Sequence, residues 1–271
     1  MTTTEEITAF NELIINESAR NDKVGTTWIT LWGEGERTVL DMLEMAGPFI
    51  GRAKLAYGSS LLTKPELLQK IVGHLNDAGV VTYPGGTVLE MALRKNSFDK
   101  FLGWAKAVGF TGVEVCDGVI PMDDNLRHEC IERSREAGFS VHTVVQEVVR
   151  KPIVEVVTLA ERIQRAKDDL AAGADQVHIV FQAMARGETP ADVVGPIKRD
   201  HAHALIEAVG LDNLVFEAMS ADEQLYYLRL LGPKVNLGHV DPRQLVLLEA
   251  QRRGLGYETF WTEVWKREHW S

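Results

Sequence analysis

The chain has 271 residues, 45% of them hydrophobic, and a formal net charge of −10. That length and apolar content can build one sizeable core, while the acidic balance excludes a broad nucleic-acid surface or an anionic membrane as partner, because both need a cationic face. A small anionic substrate remains open, since it responds to the local field of a pocket, and the two cysteines, Cys116 and Cys130, are too few and too far apart for a disulfide scaffold or a zinc site.

The first stretch, MTTTEEITAFNELI, is acidic and polar where a secretory leader would be basic and then apolar, and no later run is long enough to span a bilayer. A cytoplasmic protein is expected. Residues 1–24 form an extension with a helix over Glu5 to Ala19, and the first strand follows at Thr26 to Trp32. From there one junction recurs: a helical segment ends in glycine and a short apolar strand begins. The seven glycines are Gly47, Gly79, Gly109, Gly138, Gly173, Gly210 and Gly232. Each is expected in the left-handed position just past a helix end, where a Cβ is strained. A last helix runs from Pro242 to Arg253 and stops at Gly254. Between the junctions, apolar residues fall at helical spacing, as in Leu67, Leu68, Ile71 and Leu75, or Ala160, Ile163, Ala166 and Leu170.

The strands are short β-branched runs such as VVTY, VEV, VHIV and LVF, the composition of parallel strands buried on both faces. Eight strand-helix units in one undivided chain predict an α/β fold, a single (β/α)8 TIM barrel over residues 1–271. The rival, a doubly wound open sheet, usually carries GxGxxG after its first strand, and Trp32-Gly33-Glu34-Gly35-Glu36 is not that motif. Residues 257–271 add an aromatic tail with Phe260, Trp261, Trp265 and Trp270. Its stripe needs cover from the barrel, a neighbouring subunit or a partner; a homo-oligomer is expected.

In such a barrel the strand C-terminal ends meet on one face, where the site should lie. Those ends hold Trp32 and Glu34, Lys54 and Tyr57, Tyr83 to Thr87, Glu114 and Asp117, Gln146 to Lys151, Phe181, Glu217, and Asn236 to His239. Lys54 and Glu114 sit inside otherwise apolar strands, so each must pair, bind a ligand or shift its pKa. Gly85-Gly86, after the third strand, is either a tight turn or a backbone that approaches an anion. His142, His178 and His239 lie on or just after strands, where a hydrogen-bonded structural imidazole and a rim residue are both open readings.

Taken together, KLAYGSS (54–60), YPGGTVLE (83–90), GVEVCDG (112–118), LVFEA (214–218), GPKVNLG (232–238) and LEAQRRGL (248–255) resemble, in order, the phosphosulfolactate synthase family of coenzyme M biosynthesis. The resemblance implies a barrel lyase that adds sulfite to phosphoenolpyruvate with magnesium (Mg2+), the metal-bound carboxylate holding the new charge and a lysine delivering a proton. It implies Glu114 and Glu217, with Asp117, as magnesium ligands. Lys54 would neutralise substrate charge, and Tyr83, Gly85, Gly86, Asn236 and Gly238 would contribute binding loops. The run Glu147-Val148-Val149-Arg150-Lys151 is similar to the family's Glu-Val-Gly-Lys-Lys, which makes Lys151 the expected proton donor, with Glu147 beside it and Arg150 as a substrate contact.

The departures have consequences too. Leu31-Trp32-Gly33 stands where the family has Asp-Lys-Gly, and Phe181-Gln182-Ala183-Met184-Ala185-Arg186-Gly187 replaces a charged segment after the sixth strand. Apolar groups there predict a less highly charged pocket. Two alternatives therefore stand beside the sulfite reading: a barrel lyase or synthase with a less charged substrate, and a barrel that binds a small molecule or partner without turnover.

Overall fold

The structure is a computed structural model that describes residues 23–146, 148–150, 153–155, 157–181 and 191–259. The expected helix at Glu5 to Ala19 and the tail beyond Thr259 lie outside the described residues. Eight strands form one sheet: β1 (Thr27–Leu31), β2 (Ile50–Leu55), β3 (Val81–Pro84), β4 (Gly112–Val115), β5 (Ser140–Val145), β6 (Gln176–Ile179), β7 (Leu214–Glu217) and β8 (Leu237–Val240). Their order is β3-β2-β1-β8-β7-β6-β5-β4, and every pairing in it is parallel. At the seam the Thr111 N–H donates to Thr82 O at 3.1 Å and the Thr82 N–H to Thr111 Oγ1 at 3.1 Å, so β4 closes on β3. The result is a nearly closed (β/α)8 barrel.

Besides a single turn at Ser59–Leu62, the helices among the described residues are α1 (Glu36–Ala46), α2 (Pro65–Asp77), α3 (Gly86–Arg94), α4 (Phe98–Val108), α5 (Asp124–Glu136), α6 (Leu159–Ala171), α7 (Ala191–Val209), α8 (Ala221–Leu231) and α9 (Leu245–Arg252). Two start on capping boxes, Thr158 with Glu161 and Ser220 with Glu223, in which side chain and backbone satisfy each other's orphan donors. Six of the seven junction glycines have φ between 75° and 109°. Gly47 is the exception; with φ −49° it opens the 3-10 turn Gly47–Phe49 instead of ending α1 in the left-handed region. After β5 the chain makes an antiparallel hairpin, Val148–Arg150 with Ile153–Glu155, before α6. No helix among the described residues is long and apolar enough to cross a membrane.

Alternation along the strands sorts the side chains. Ile29, Leu31, Ala53, Leu55, Val113 and Val115 pack outward against buried helix residues such as Val72, Leu75 and Leu89. Emptying one such position, Leu75→Ala, should cost about 2–5 kcal/mol. The inward faces are different. Trp28 meets His142 and His178 edge to face, Tyr83 meets His142 at 4.2 Å, and the Arg52 guanidinium lies 4.8 Å over the Trp28 ring. A barrel interior is commonly filled by branched aliphatic layers; this one is filled by rings and ionisable groups leading up to the C-terminal rim.

Candidate active site

A cavity of about 600 Å³ opens at that rim, and Thr30, Lys54, Glu114, Gln146, Glu217 and His239 form its walls. The strand register brings them together: Lys54 on β2 neighbours Thr30 on β1 and Tyr83 on β3, while Glu217 on β7 neighbours Gly238 on β8. Lys54 Nζ lies 2.7 Å from Glu114 Oε1 and 3.0 Å from His239 Nε2, and His239 Nδ1 lies 2.7 Å from Glu217 Oε1. With the ammonium donating, Nε2 accepts, so the ring proton sits on Nδ1 and is donated to Glu217. The groups form one hydrogen-bonded chain: Glu114, Lys54, His239, Glu217.

Burial alone would depress the Lys54 ammonium, but the charge and hydrogen bond of Glu114 outweigh it and raise its pKa. Burial would likewise raise the Glu114 carboxyl; Lys54 and then His142 overcome that and hold it well below the usual carboxylate range. The pair is therefore ionised in the interior, where its electrostatic effect is large. Burial pushes His142 down to about 4, which keeps it a neutral imidazole 3.4 Å from Glu114 Oε2. His178 is also held well below its ordinary value, by burial and then by the neighbouring His239. Neither ring nitrogen of His178 has a hydrogen-bond partner among the described residues. Gly238 makes room for this ring, since a Cβ there would stand 2.6 Å from His178 Nε2.

The other expected site residues are placed as follows. The Gly86 N–H donates to Glu114 Oε1 at 2.7 Å, and a Cβ on Gly86 would collide with that oxygen. Gly85 backs the peptide of Tyr57. The glycine pair thus receives the chain's own carboxylate. Tyr83 is buried beneath the cavity against His142. Asp117 is buried and held by Arg127 at 3.5 Å and Arg165 at 2.9 Å. Asn236 precedes β8 and lies at the opposite end of the barrel, bonded to Thr26 and to the carbonyls of Lys23, Leu211 and Leu214. Glu147 and Lys151 lie outside the described residues, and Arg150 is described only as backbone of the hairpin. Of the apolar departures, Trp32 lines the cavity. Leu31 belongs to the outer core, and Phe181 is buried under the Arg162 guanidinium at 5.0 Å.

The geometry sharpens one open candidate, His239, and adds another, Glu90. His239 has φ 56°, a strained value for a side chain with a Cβ, and this conformation sits where the ring joins Lys54 to Glu217. Glu90, buried on α3, accepts the Val119 and Ile120 N–H groups at 2.6 Å each beside the cavity.

Magnesium favours carboxylate and water oxygen. Glu114 and Glu217 reach the same cavity and are linked through Lys54 and His239. The groups whose ligand atoms do converge, all within 4.8 Å, are Glu114, His178 and His239. One carboxylate and two imidazoles suit a borderline ion better than a hard one, and the Lys54 ammonium already bonds two of the three. A magnesium ion on Glu114 and Glu217 would share the first carboxylate with the Lys54 ammonium and the second with the His239 ring.

Comparison with known proteins agrees with this architecture. A sequence profile described as (2R)-phospho-3-sulfolactate synthase (ComA) matches residues 16–258. The chain is 30% identical over 236 residues to phosphosulfolactate synthase of Methanocaldococcus jannaschii, covering 87% of this chain and 94% of that one. It is 26% identical over 253 residues to the Methanothermobacter thermautotrophicus phosphosulfolactate synthase, covering 93% and 97%. The Arabidopsis thaliana Protein HEAT-STRESS-ASSOCIATED 32 is 24% identical over 241 residues, 80% of each chain. Among solved structures, 3-hexulose-6-phosphate synthase of Salmonella typhimurium superposes with a TM-score of 0.53 at 13% identity, over 84% of this chain and 99% of that one, a likeness of fold alone. The profile match spans all eight barrel strands and the whole Glu114-Lys54-His239-Glu217 chain, and this protein belongs to the (2R)-phospho-3-sulfolactate synthase family.

Proposed function

We propose that this protein is a lyase of the phosphosulfolactate synthase type, adding sulfite across the double bond of an enolic or α,β-unsaturated carboxylic acid. The observation that carries the reading is the Lys54 ammonium, ionised in the barrel interior between Glu114 and His239. An ammonium has three N–H bonds; Glu114 and His239 take two, which leaves one for a ligand in the cavity.

The chemistry follows from that position. The substrate carboxylate meets Lys54. Sulfite sulfur forms a bond to the β-carbon, the π bond breaks, and the electron pair moves onto the α-carbon and carboxylate oxygens. Charge thus grows beside a fixed cation, which needs no reorganisation at the moment of reaction. Lys54 then delivers its proton to the α-carbon as general acid. The resulting amine regains its proton from solvent at the cavity mouth, while Glu217 holds the His239 ring with its proton on Nδ1, which keeps Nε2 an acceptor that positions Nζ. No step here is routed through a metal.

The test is formation of a sulfonated acid from sulfite and an unsaturated acid by purified protein, followed by mass spectrometry and by loss of sulfite. Lys54→Gln should lower the rate by at least about a hundredfold. Sulfite consumption that survives in Lys54→Gln would contradict the assignment.

A further inference from the structure

The mouth of the cavity carries a second pattern, which concerns the substrate's charge and shape. Trp32 is 46% exposed and Tyr57 66%, and their rings stand 5.4 Å apart at an interplanar angle of 52°. Val119 and Met219, also exposed, line the same cavity. Four large apolar side chains left in water around one opening are a binding surface rather than scattered exposure. Tyr57 is held there with φ 48°, and backbone strain of this kind collects at ligand clamps.

Among the described residues, several backbone donors of the rim are already taken. Trp32 and Gly33 N–H groups donate to Glu34 Oε2 at 2.6 and 3.0 Å, and Val119 and Ile120 to Glu90. Phosphate in barrels is often held by the loops after the seventh and eighth strands. Here Met219 and Ser220 N–H groups donate to Glu223, and the Arg243 N–H donates to Asp241. A phosphoryl group would have to displace a carboxylate from each of these donors. Among the described residues lining the cavity, Lys54 is the one lysine or arginine, set against Glu90, Glu114 and Glu217. Among these described residues one cation faces three carboxylates, so they offer little compensation for several negative charges on one ligand.

We infer that the acceptor is an unphosphorylated α,β-unsaturated carboxylic acid bearing an aryl or bulky alkyl group. Its single carboxylate meets Lys54, and its apolar group lies against Trp32 and Tyr57. The inference rests on the conjugate-addition reading for its chemistry and on the rim for its selectivity, so binding and turnover are measured separately. Sulfite addition to such an acid is balanced: one C–S bond forms, the C=C π bond is lost, and Lys54 supplies one proton.

The probes are cinnamate and phosphoenolpyruvate, titrated calorimetrically into the full chain, with sulfite loss read in parallel samples. Cinnamate should bind at least about tenfold more tightly than phosphoenolpyruvate. Trp32→Ala and Tyr57→Ala should each weaken cinnamate about tenfold, the scale of one aromatic contact, and leave phosphoenolpyruvate within about twofold. Trp32→Phe, which keeps a ring, should retain most of the affinity and guards against a folding defect. Tighter binding of phosphoenolpyruvate, no binding of either acid, or indifference of cinnamate to both alanine variants would overturn the inference. Cinnamate that binds in this pattern but does not consume sulfite would uphold the acceptor surface and count against the lyase reading alone.

Discussion

The two ends of this barrel both bury polar side chains, and the difference lies in their partners. At the N-terminal end, Asn236 takes the Thr26 N–H and three backbone carbonyls, Gln176 caps the carbonyls of Lys23 and Asp212, and Arg252 caps those of Pro233 and Val235. Side chain meets backbone, and the end is sealed. At the C-terminal end, Glu114, Lys54, His239 and Glu217 meet one another and border a cavity. A buried polar residue tied to the main chain closes a fold, whereas one tied to other ionisable groups has two states to offer a substrate.

Variants at the two ends should separate these roles. Glu114→Gln should have the largest effect: it strands a buried ammonium, costs about 3–5 kcal/mol and lowers turnover by at least about a hundredfold. Urea unfolding and the sulfite assay read the two losses. Asn236→Ala should cost about 3 kcal/mol by leaving backbone groups unpaired, with kcat of the folded protein unchanged. A large fall in kcat with stability intact would erase the distinction between the ends.

Acid should reveal the interior imidazoles. His142 is held down at about 4 from 6.5 by burial, so the unfolded chain binds a proton that the folded chain refuses between those values. Its contribution is present above pH 6.5 and is lost as pH falls to about 4, amounting to about 3 kcal/mol. His178, shifted the same way, adds to the slope, and Glu114 extends the loss to still lower pH. Urea midpoints from pH 7.5 to 4.5 should fall steeply below 6.5 and less steeply in His142→Gln; a flat profile would contradict neutral buried rings. The smallest effect is expected for Glu217→Gln. His239 keeps a hydrogen-bond acceptor but loses a negative neighbour, so kcat should fall about tenfold with stability changed by less than about 1 kcal/mol.

Much of this was legible in the residues. Glycine-terminated helices alternating with β-branched runs leave few folds besides the barrel, and Lys54 and Glu114 stand out as charges within apolar strands. Glu217, at the end of LVFE, is reached by the same reasoning. Asn236 shows where that reasoning stops: in GPKVNLGHV the strand starts only at Leu237, so a residue expected at the cavity lies at the opposite end. Asp117 depends on Arg127 and Arg165, which come from helices α5 and α6 and carry no local signal. His239 was visible as an imidazole near a strand end, but its backbone conformation and its bond to Lys54 exist only in three dimensions. The apolar replacements at Leu31 and Trp32 are adjacent in sequence, yet alternation sends one to the outer core and the other to the cavity.

The central claim is that Lys54 acts as a proton donor as well as a charge. Arginine keeps the charge but cannot give up its proton near neutral pH. The decisive comparison is Lys54→Arg against the unmodified protein, with acid binding and sulfite addition measured on the same preparation. The account predicts acid binding within about tenfold and a rate reduced by at least about a hundredfold. Lys54→Arg that adds sulfite at close to the unmodified rate would show that charge alone suffices and that the proton comes from elsewhere.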